Sequence, residues 1–422
     1  VMRVNPPIAT DNGTAIEGIV RSDIIVASTE LSRSLGDRGH VPYAVADEND
    51  PRNVMTVRDG MFGERHEIPR NEWRFARVEN GIVVADPTAV YLEAGFEPGK
   101  IYEVVFVAEN SPIAGLGLAA IRDAISLLRY EGSGELGIPQ GSIDRALAYG
   151  SSQSGRLLRT FLYDGFNSDE SGRIVFDGLI PHIGGAARGS FNQRFAQPSR
   201  APGGAYEYPN RVFPFSDTVQ TDPATGREDG LLAAISPGTM PKIFYTNSST
   251  EYWRSASALT HTAIDGKQDL ELLDNVRSYH FTGTQHGPAR FPPEDTDSTF
   301  MPNPNDYVWH LRGLLLALDR WIAEDAEPPE SRYSTLAAAT LVDLDDYRFP
   351  EIPGVDVLSE ISIAHALDHG PNLTSKGIIT QEPPKLGEAY PLLVPQVDSY
   401  GNEIGGLRSP ELMAPLATYT GW

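Results

Sequence analysis

The chain has 422 residues, a formal net charge of −23 and a sequence pI near 4.7. Its 40% apolar and 22% charged residues are typical of a globular protein. The chain has no cysteine, which excludes disulfides, thiol nucleophiles and Cys-ligated zinc. The acidic balance argues against nucleic-acid partners and anionic membrane surfaces, because both require clustered Lys and Arg.

We expect neither a signal peptide nor a membrane span from this sequence. No stretch approaches the roughly 18 consecutive apolar residues of a transmembrane helix, so no membrane partner is expected. The first residues, VMRVNPPIATDNG, lack a basic segment followed by an apolar run, so no signal peptide is expected. The compartment and the oligomeric state stay open.

Residues 1–98 are predicted to form a β-rich N-terminal module. Short apolar runs, such as those at 24–26 and 82–84, alternate with clusters of Pro, Gly, Asn and Asp. A long stretch with a 3.6-residue period is missing, so helices are not expected there.

Residues 99–332 are predicted to form an α/β core with a mainly parallel sheet, because strand-length apolar runs alternate with amphipathic stretches. The predicted strands are 101–109, 145–150, one within 172–185, one within 241–250, and 277–283. The predicted helices are 118–130, 154–166 and 309–324. The run 101–109 is apolar throughout, which is typical of a strand buried on both faces of a parallel sheet.

Two stretches depart from this alternation. Residues 186–240 are irregular and rich in Arg, Asn, Pro, Gly and Phe, which is typical of a lid or binding loop. We expect this insertion to shape a substrate pocket. Its candidate apolar lining residues are Phe191, Phe195, Phe213 and Phe215. Residues 333–422 are Pro-rich, and we expect them to pack on the core.

The stretch LAYGSSQSGRLLR carries the strongest catalytic signal. A nucleophilic serine on a strand-to-helix turn needs small neighbours two positions away on each side. Ser152 fits best, since Gly150 precedes it by two, Ser154 follows it by two and Gly155 lies just beyond. The alternative is that Ser151 and Ser152 only cap the helix.

A serine nucleophile needs a base and an orienting acid, which in this architecture follow it along the chain, each after a later strand. Glu251 comes after the strand KIFYTNSST, and His286 comes after RSYHFTG. Gly287 is expected to let the loop turn the imidazole back toward Ser152. The backbone N–H of Gln153, at the start of a helix, is the predicted oxyanion donor.

The other histidines are weaker candidates. His182 ends a predicted strand and is a candidate pocket residue, while His280 lies within a strand and His261 lies in a helix-like stretch. His365 and His369 are four apart, a spacing that suits two metal ligands on a helix. Because there is neither an HExxH motif nor a third ligand nearby, we expect no metal.

A second fingerprint, GLGLAA at 115–120, fits the G-x-G-x-x-A pattern of dinucleotide-binding folds. Residues 110–114 separate it from the preceding strand, whereas in those folds the first glycine follows the strand almost at once. The next predicted strand also ends in Gly150 and serines rather than in an acidic residue. We therefore expect no cofactor and attribute the glycines to close helix packing.

Several long motifs together resemble a large family of bacterial alpha/beta hydrolase domain proteins. They include GLGLAAIRDAISLL, YGSSQSGRLLR, HIGGAARGSFNQRFAQPSR, KIFYTNSSTEYWR and YHFTGTQHG. The resemblance covers nearly the whole chain and implies an alpha/beta-hydrolase fold, with Ser152, Glu251 and His286 at the nucleophile, acid and base positions. The strand-to-helix turn around Ser152 and the glutamate acid are also locally similar to those of glucuronoyl esterases.

The sequence therefore predicts a serine esterase with a Ser-His-Glu triad, acting on a small-molecule or glycoside ester. Family members carry further sequence on both sides, so missing flanking sequence or a partner chain is expected to complete the sheet. If the upstream sequence is absent, we expect the second oxyanion donor to come from the loop 110–115 or from a partner chain. The alternatives are a non-catalytic binding protein on a hydrolase fold and a nucleotide-dependent oxidoreductase that uses GLGLAA.

Overall fold

The computed structural model describes residues 6–38, 40–200, 207–294, 296, 300–355, 357–358 and 360–422. Its contacts divide the chain into two compact units, each assembled from three stretches. The first unit takes in the residues up to Gly117, Ser190–Pro209 and Leu367–Gly387. The second takes in Leu118–Gly189, Asn210–Ala366 and Glu388–Trp422.

The first unit is β-rich. In chain order its strands are β1 (Thr10–Asp11), β2 (Thr14–Ala15), β3 (Gly18–Ile24), β4 (Glu30–Ser34), β5 (Ala44–Val45), β6 (Val54–Asp59), β7 (His66–Ile68), β8 (Trp73–Arg74), β9 (Ala76–Glu79), β10 (Ile82–Ala85), β11 (Ala89–Phe96) and β12 (Lys100–Glu109). Strand β12 pairs with β3 on one side and with β6 on the other, both antiparallel. Apolar side chains of these strands pack with Trp73 and Phe75 into one core.

The prediction that residues 101–109 join the parallel sheet is wrong, because β12 is a central strand of an antiparallel sheet. A strand covered on both faces is apolar throughout whichever way its neighbours run, so its own pattern does not reveal their direction. As a consequence, the first compact unit extends to Gly117, beyond the predicted boundary at residue 98.

A buried ion network crosses the core of the first unit. The Glu103 carboxylate, on β12, lies 2.8 Å from Arg21 and 3.5 Å from Arg58, and its two oxygens contact Arg65 at 2.5 and 3.0 Å. Arg21 and Arg65 also contact Glu207. Burial alone would raise the pKa of Glu103, but the three guanidinium groups outweigh it and lower that pKa.

Removal of one charge from this network leaves the opposite charges buried and unpaired. We expect Glu103→Gln to lower the free energy of unfolding of the first unit by about 3–5 kcal/mol, as measured by urea denaturation. Glu93→Gln, at an exposed position on β11, is the matched control and should change it little. Equal stability of the two variants would contradict the assigned role of Glu103.

The second unit contains the parallel sheet. From Leu116 onward the elements are α1 (Leu116–Ser126), β13 (Leu147–Ser151), α2 (Gln153–Tyr163), β14 (Gly178–His182), β15 (Gln220–Thr221), β16 (Glu228–Asp229), β17 (Lys242–Ser248), α3 (Ser249–Arg254), β18 (Val276–Phe281), α4 (Val308–Glu324), β19 (Leu341–Asp343), β20 (His365–Asp368), α5 (Leu373–Lys376), β21 (Lys385–Ala389), β22 (Leu393–Pro395) and α6 (Pro410–Met413). Of these, α5 belongs to the first unit, α1, β20 and β21 span a boundary between the units, and the others belong to the second unit. A π-helical turn, Leu127–Glu131, follows α1. Within the described ranges the sheet runs β13–β14–β17–β18, with all four strands parallel.

Helices α2 and α4 pack on this sheet through apolar side chains. Leu158, Phe161 and Leu162 of α2 join one core cluster, and Leu314, Leu318 and Trp321 of α4 join another. Because the four strands are parallel, their carboxyl ends lie at one edge of the sheet, where the segments after β13, β17 and β18 can meet.

Candidate active site

The chain turns sharply between β13 and α2, and Ser152 occupies the turn. Its backbone has φ 57° and ψ −114°, a conformation rarely adopted by residues other than glycine. The Ser152 N–H donates to the His182 carbonyl at 2.9 Å, and its own carbonyl accepts from Arg156 at 3.0 Å. Such strain survives only where the surrounding structure enforces it, and it is common at active sites.

Two glycines make room for this turn. A Cβ at Gly150 would lie 2.4 Å from the Ser154 carbonyl oxygen, and a Cβ at Gly155 would lie 2.6 Å from the His182 carbonyl oxygen. Both neighbours are backbone atoms and cannot rotate away. The Ser154 side chain is exposed, so the crowded position after the nucleophile is Gly155 rather than residue 154. This explains the G-x-S-x-S-G spacing.

The structure brings Ser152, His286 and Glu251 into one hydrogen-bonded chain, although up to 134 positions separate them. The His286 Nε2 atom lies 2.9 Å from Ser152 Oγ, and its Nδ1 atom lies 2.6 Å from Glu251 Oε1. Ser152 follows β13, Glu251 lies in the first turn of α3 directly after β17, and His286 follows β18. The imidazole can therefore take a proton from the hydroxyl while its other nitrogen is held.

Glu251 is buried, and both of its carboxylate oxygens accept hydrogen bonds. While Oε1 faces His286, Oε2 accepts from the Ser248 N–H at 3.0 Å and from the Ser248 hydroxyl. Ser248 and Glu251 form a capping box at the start of α3. Burial alone would raise the pKa of Glu251, but the bonds from His286 and Ser248 outweigh it and lower that pKa. The group is therefore a carboxylate at neutral pH.

The backbone of His286 is held on both sides. Its N–H donates to Thr250 Oγ1 at 3.0 Å, and its carbonyl accepts from the Tyr307 hydroxyl at 2.8 Å. The expectation for Gly287 is wrong: its backbone does not have a positive φ, and a Cβ there would meet nothing within 4 Å. The glycine that this loop requires is Gly283, with φ 63° and a Cβ position 2.7 Å from Leu412.

Gln153 is the first residue of α2, so its N–H has no acceptor inside the helix. It lies next to Ser152 in the chain, and the helix dipole favours negative charge at this end. The position suits a donor to an oxyanion that forms at Ser152.

The His182 side chain is almost fully buried, so it offers little surface to a substrate. Its ring stacks on Tyr149 and packs edge-on against Tyr307, while its Nδ1 atom lies 2.9 Å from Thr246 Oγ1. Burial lowers the pKa of His182 to about 4, so the ring is neutral at neutral pH. Exposed Tyr149, rather than His182, presents an aromatic surface beside the turn.

The four candidate phenylalanines do not form one set. Phe195 belongs to the first unit, where it is buried in the core and packs on Tyr43. Phe191 belongs to the same unit and is half-buried. Phe213 and Phe215 are buried in the second unit, in a cluster that includes Tyr390. This burial leaves three of the four rings little surface for a substrate. Part of the insertion, 201–206, lies outside the described residues.

The competing histidines have other surroundings. His261 is buried and contacts the Tyr252 hydroxyl at 3.0 Å, and His280 is buried on β18. His365 lies on a strand, so the helical spacing assumed for a metal pair with His369 is absent. His369 instead lies 3.2 Å from Glu382. Within the described residues, no group of three or more His, Asp and Glu side chains could hold a metal ion.

The GLGLAA stretch at 115–120 does not lie in the structural setting that a dinucleotide-binding site requires. That fingerprint requires a strand, a glycine turn and a helix within a parallel βαβ unit. The strand before Gly115 is β12, whose neighbours in its sheet are antiparallel. Gly115 itself has φ 80°, and a Cβ there would lie 2.2 Å from the Asn192 side chain.

Three residues that hold the site were missed by the sequence analysis. Ser248 was recognisable, because Ser248 and Glu251 match the S-x-x-E pattern of a capping box at a strand end. Thr250 and Tyr307 were not, since their contacts with His286 depend on the tertiary fold.

Comparison with known proteins identifies the family. The sequence model of the alpha/beta hydrolase domain family matches residues 44–422, and the chain belongs to this family. No match was found among the curated proteins or among the solved structures. In the part of the chain that is described, no helix is both long and apolar enough to cross a membrane.

Proposed function

We propose that this member of the alpha/beta hydrolase domain family cleaves carboxylic esters through an acyl-enzyme. The observation that carries the proposal is the hydrogen-bonded chain from Ser152 through His286 to Glu251, which begins at a strained turn. An unreactive helix cap would need neither the positive φ at Ser152 nor an imidazole on its hydroxyl.

In the first half of the reaction, Ser152 Oγ attacks the ester carbonyl carbon and its proton passes to His286 Nε2. The carbonyl electrons move onto oxygen, and the N–H of Gln153 donates to this oxyanion. Glu251 accepts from Nδ1 and stabilises the imidazolium. The tetrahedral intermediate then collapses, the alkoxide leaves, and His286 Nε2 gives it the proton.

In the second half, water replaces the alcohol. His286 Nε2 takes a proton from the water, whose oxygen attacks the acyl carbon. Collapse of the second intermediate breaks the bond to Ser152 Oγ, and the proton returns to Ser152. The carboxylic acid leaves, so no cofactor is consumed.

The substrate we propose is a neutral or cationic small-molecule or glycoside ester, because a net charge of −23 repels polyanions. We extend the proposal to the insertion 186–240 as a pocket-forming segment. Its part from Asn210 onward belongs to the same compact unit as Ser152. Exposed Tyr149 is the aromatic surface nearest the nucleophile in sequence.

A fluorophosphonate probe tests the nucleophile directly, because it reacts only with an activated serine. We expect the wild type to be labelled at Ser152 and Ser152→Ala to stay unlabelled. Ser154→Ala is the matched control: this serine is exposed two positions later and should leave labelling intact. Short p-nitrophenyl esters should also give an acyl burst that Ser152→Ala abolishes.

An unlabelled wild-type protein would end the esterase proposal and favour a binding protein on a hydrolase fold. Thermal stabilisation by millimolar NAD or NADP would instead revive the oxidoreductase alternative.

A further inference from the structure

The residues immediately before the acid and the base are both tied to the last residues of the sequence. Thr250, which precedes Glu251, donates its hydroxyl to the Gly421 carbonyl. Gln285, which precedes His286, donates its side-chain amide to the Trp422 carbonyl at 2.8 Å. The segments that follow β17 and β18 thus both bind the dipeptide Gly421–Trp422.

The Thr250 hydroxyl also joins these two segments to each other, because it accepts the His286 N–H at 3.0 Å. Asn303 adds a third link: its amide donates to the Thr420 carbonyl at 3.0 Å and to the Gly283 carbonyl at 2.9 Å. Three consecutive carbonyls, 420–422, therefore accept bonds from Asn303, Thr250 and Gln285 in turn, and Asn303 is itself bonded to the loop that leads to His286.

Glu403 ties the same two segments together at a second place. One of its carboxylate oxygens accepts from the Gly283 N–H at 2.9 Å and from the Ser249 hydroxyl. Ser249 begins α3, and Gly283 lies in the loop that leads to His286. All three residues are buried or glycine, so water does not compete for these bonds.

The tail is itself anchored by aromatic packing. The Trp422 ring packs edge-on against Trp253 at 4.9 Å and against Phe349 at 5.3 Å between ring centroids. Gly421 lies so close to α3 that a Cβ there would be 2.6 Å from Ser249 Cβ and 2.8 Å from the Ser249 carbonyl carbon. Only glycine allows this approach.

We propose that Glu403 and Thr420–Trp422, here called the C-terminal clamp, act as positioning residues that fix the distance between Glu251 and His286. The inference rests on the proposed function, and it assigns to these residues an effect on turnover that acts through the positions of Glu251 and His286. A displacement of about 1 Å in such an arrangement costs on the order of 100-fold in rate.

Gly421→Ala tests the clamp by pushing the tail off α3 without touching the triad. We expect kcat on a p-nitrophenyl ester to fall roughly 10- to 100-fold while KM stays within about two-fold. The matched control is Gly238→Ala, where an added Cβ meets nothing within 4 Å and kcat should be unchanged.

Thr250→Val provides an independent test, because it removes the hydroxyl and keeps the shape of the side chain. We expect a similar fall in kcat, and rescue by Thr250→Ser, which restores the hydroxyl. Thr160→Val is the control for stability: Thr160 is also buried, donates to one carbonyl and accepts the Gly189 N–H at 3.1 Å. An equal fall of kcat in Thr160→Val, or an unchanged kcat in folded Gly421→Ala and Thr250→Val, would overturn the clamp.

The downfield proton resonance of the His286–Glu251 hydrogen bond gives a readout that does not need turnover. We expect it in the wild type, Thr250→Ser and Gly238→Ala, and expect it weakened or shifted in Gly421→Ala and Thr250→Val. A wild type that shows this resonance but resists the fluorophosphonate probe would refute the esterase proposal alone. An unchanged resonance in both clamp variants would refute the clamp alone.

Discussion

His286→Ala is expected to lower kcat for a p-nitrophenyl ester by about a millionfold, the loss typical when one member of a cooperating nucleophile and base is removed. Without the imidazole at 2.9 Å, nothing takes the Ser152 proton during attack or returns one to the leaving alcohol. The fall should appear in both the burst and the steady state, since the same nitrogen serves acylation and deacylation.

The control for this variant is His66→Ala, at an exposed histidine of β7 in the first unit, which should keep wild-type turnover. Circular dichroism should show that both variants are folded, because the His286 side chain is partly exposed and contributes little to the core. Turnover of His286→Ala within about tenfold of wild type would contradict its role as the base.

The sequence predicted which three side chains the structure brings together, because the rule behind the prediction is local. Each follows a buried strand, and parallel strands deliver their carboxyl ends to one edge of a sheet. The order Ser152, Glu251, His286 then needs no knowledge of long-range packing. The four strands that carry this argument, β13, β14, β17 and β18, are parallel as predicted.

The prediction that residues 101–109 join the parallel sheet was wrong, because the apolar pattern of a strand does not reveal the direction of its neighbours. Val104 and Phe106 face one side of the strand and Val105 and Val107 the other, and this pattern fits a central strand of either kind of sheet. Only the pairing of β12 with β3 and β6 shows that the neighbouring strands run antiparallel to it.

The turn at Ser152 and the contacts that hold the triad could be predicted only in part. A rule that asks for small residues around the serine correctly finds Gly150, but it does not show that Gly155, rather than residue 154, meets backbone atoms. The contacts of Thr250 and Gln285 with the tail span 171 and 137 positions, and nothing in either local sequence encodes them.

The second large effect is expected for Glu251→Gln, which should lower kcat by about 10⁴-fold with a small change in KM. Both carboxylate oxygens of Glu251 accept bonds: one from His286 Nδ1, the other from the Ser248 N–H and hydroxyl. A glutamine offers only one oxygen. The Ser248 N–H can only donate, so the amide oxygen turns toward Ser248 and the amide NH₂ faces Nδ1.

This orientation forces the wrong histidine tautomer. An NH₂ group at Nδ1 needs an acceptor there, so the imidazole carries its proton on Nε2 and cannot take the Ser152 proton. Ser248→Ala should lose far less, within about tenfold, because the backbone N–H still orients the carboxylate. Glu228→Gln, at an exposed position in the same unit, should have no effect. Near wild-type kcat in Glu251→Gln would show that His286 keeps its tautomer without the carboxylate, and Glu251 would then be only the capping residue of α3.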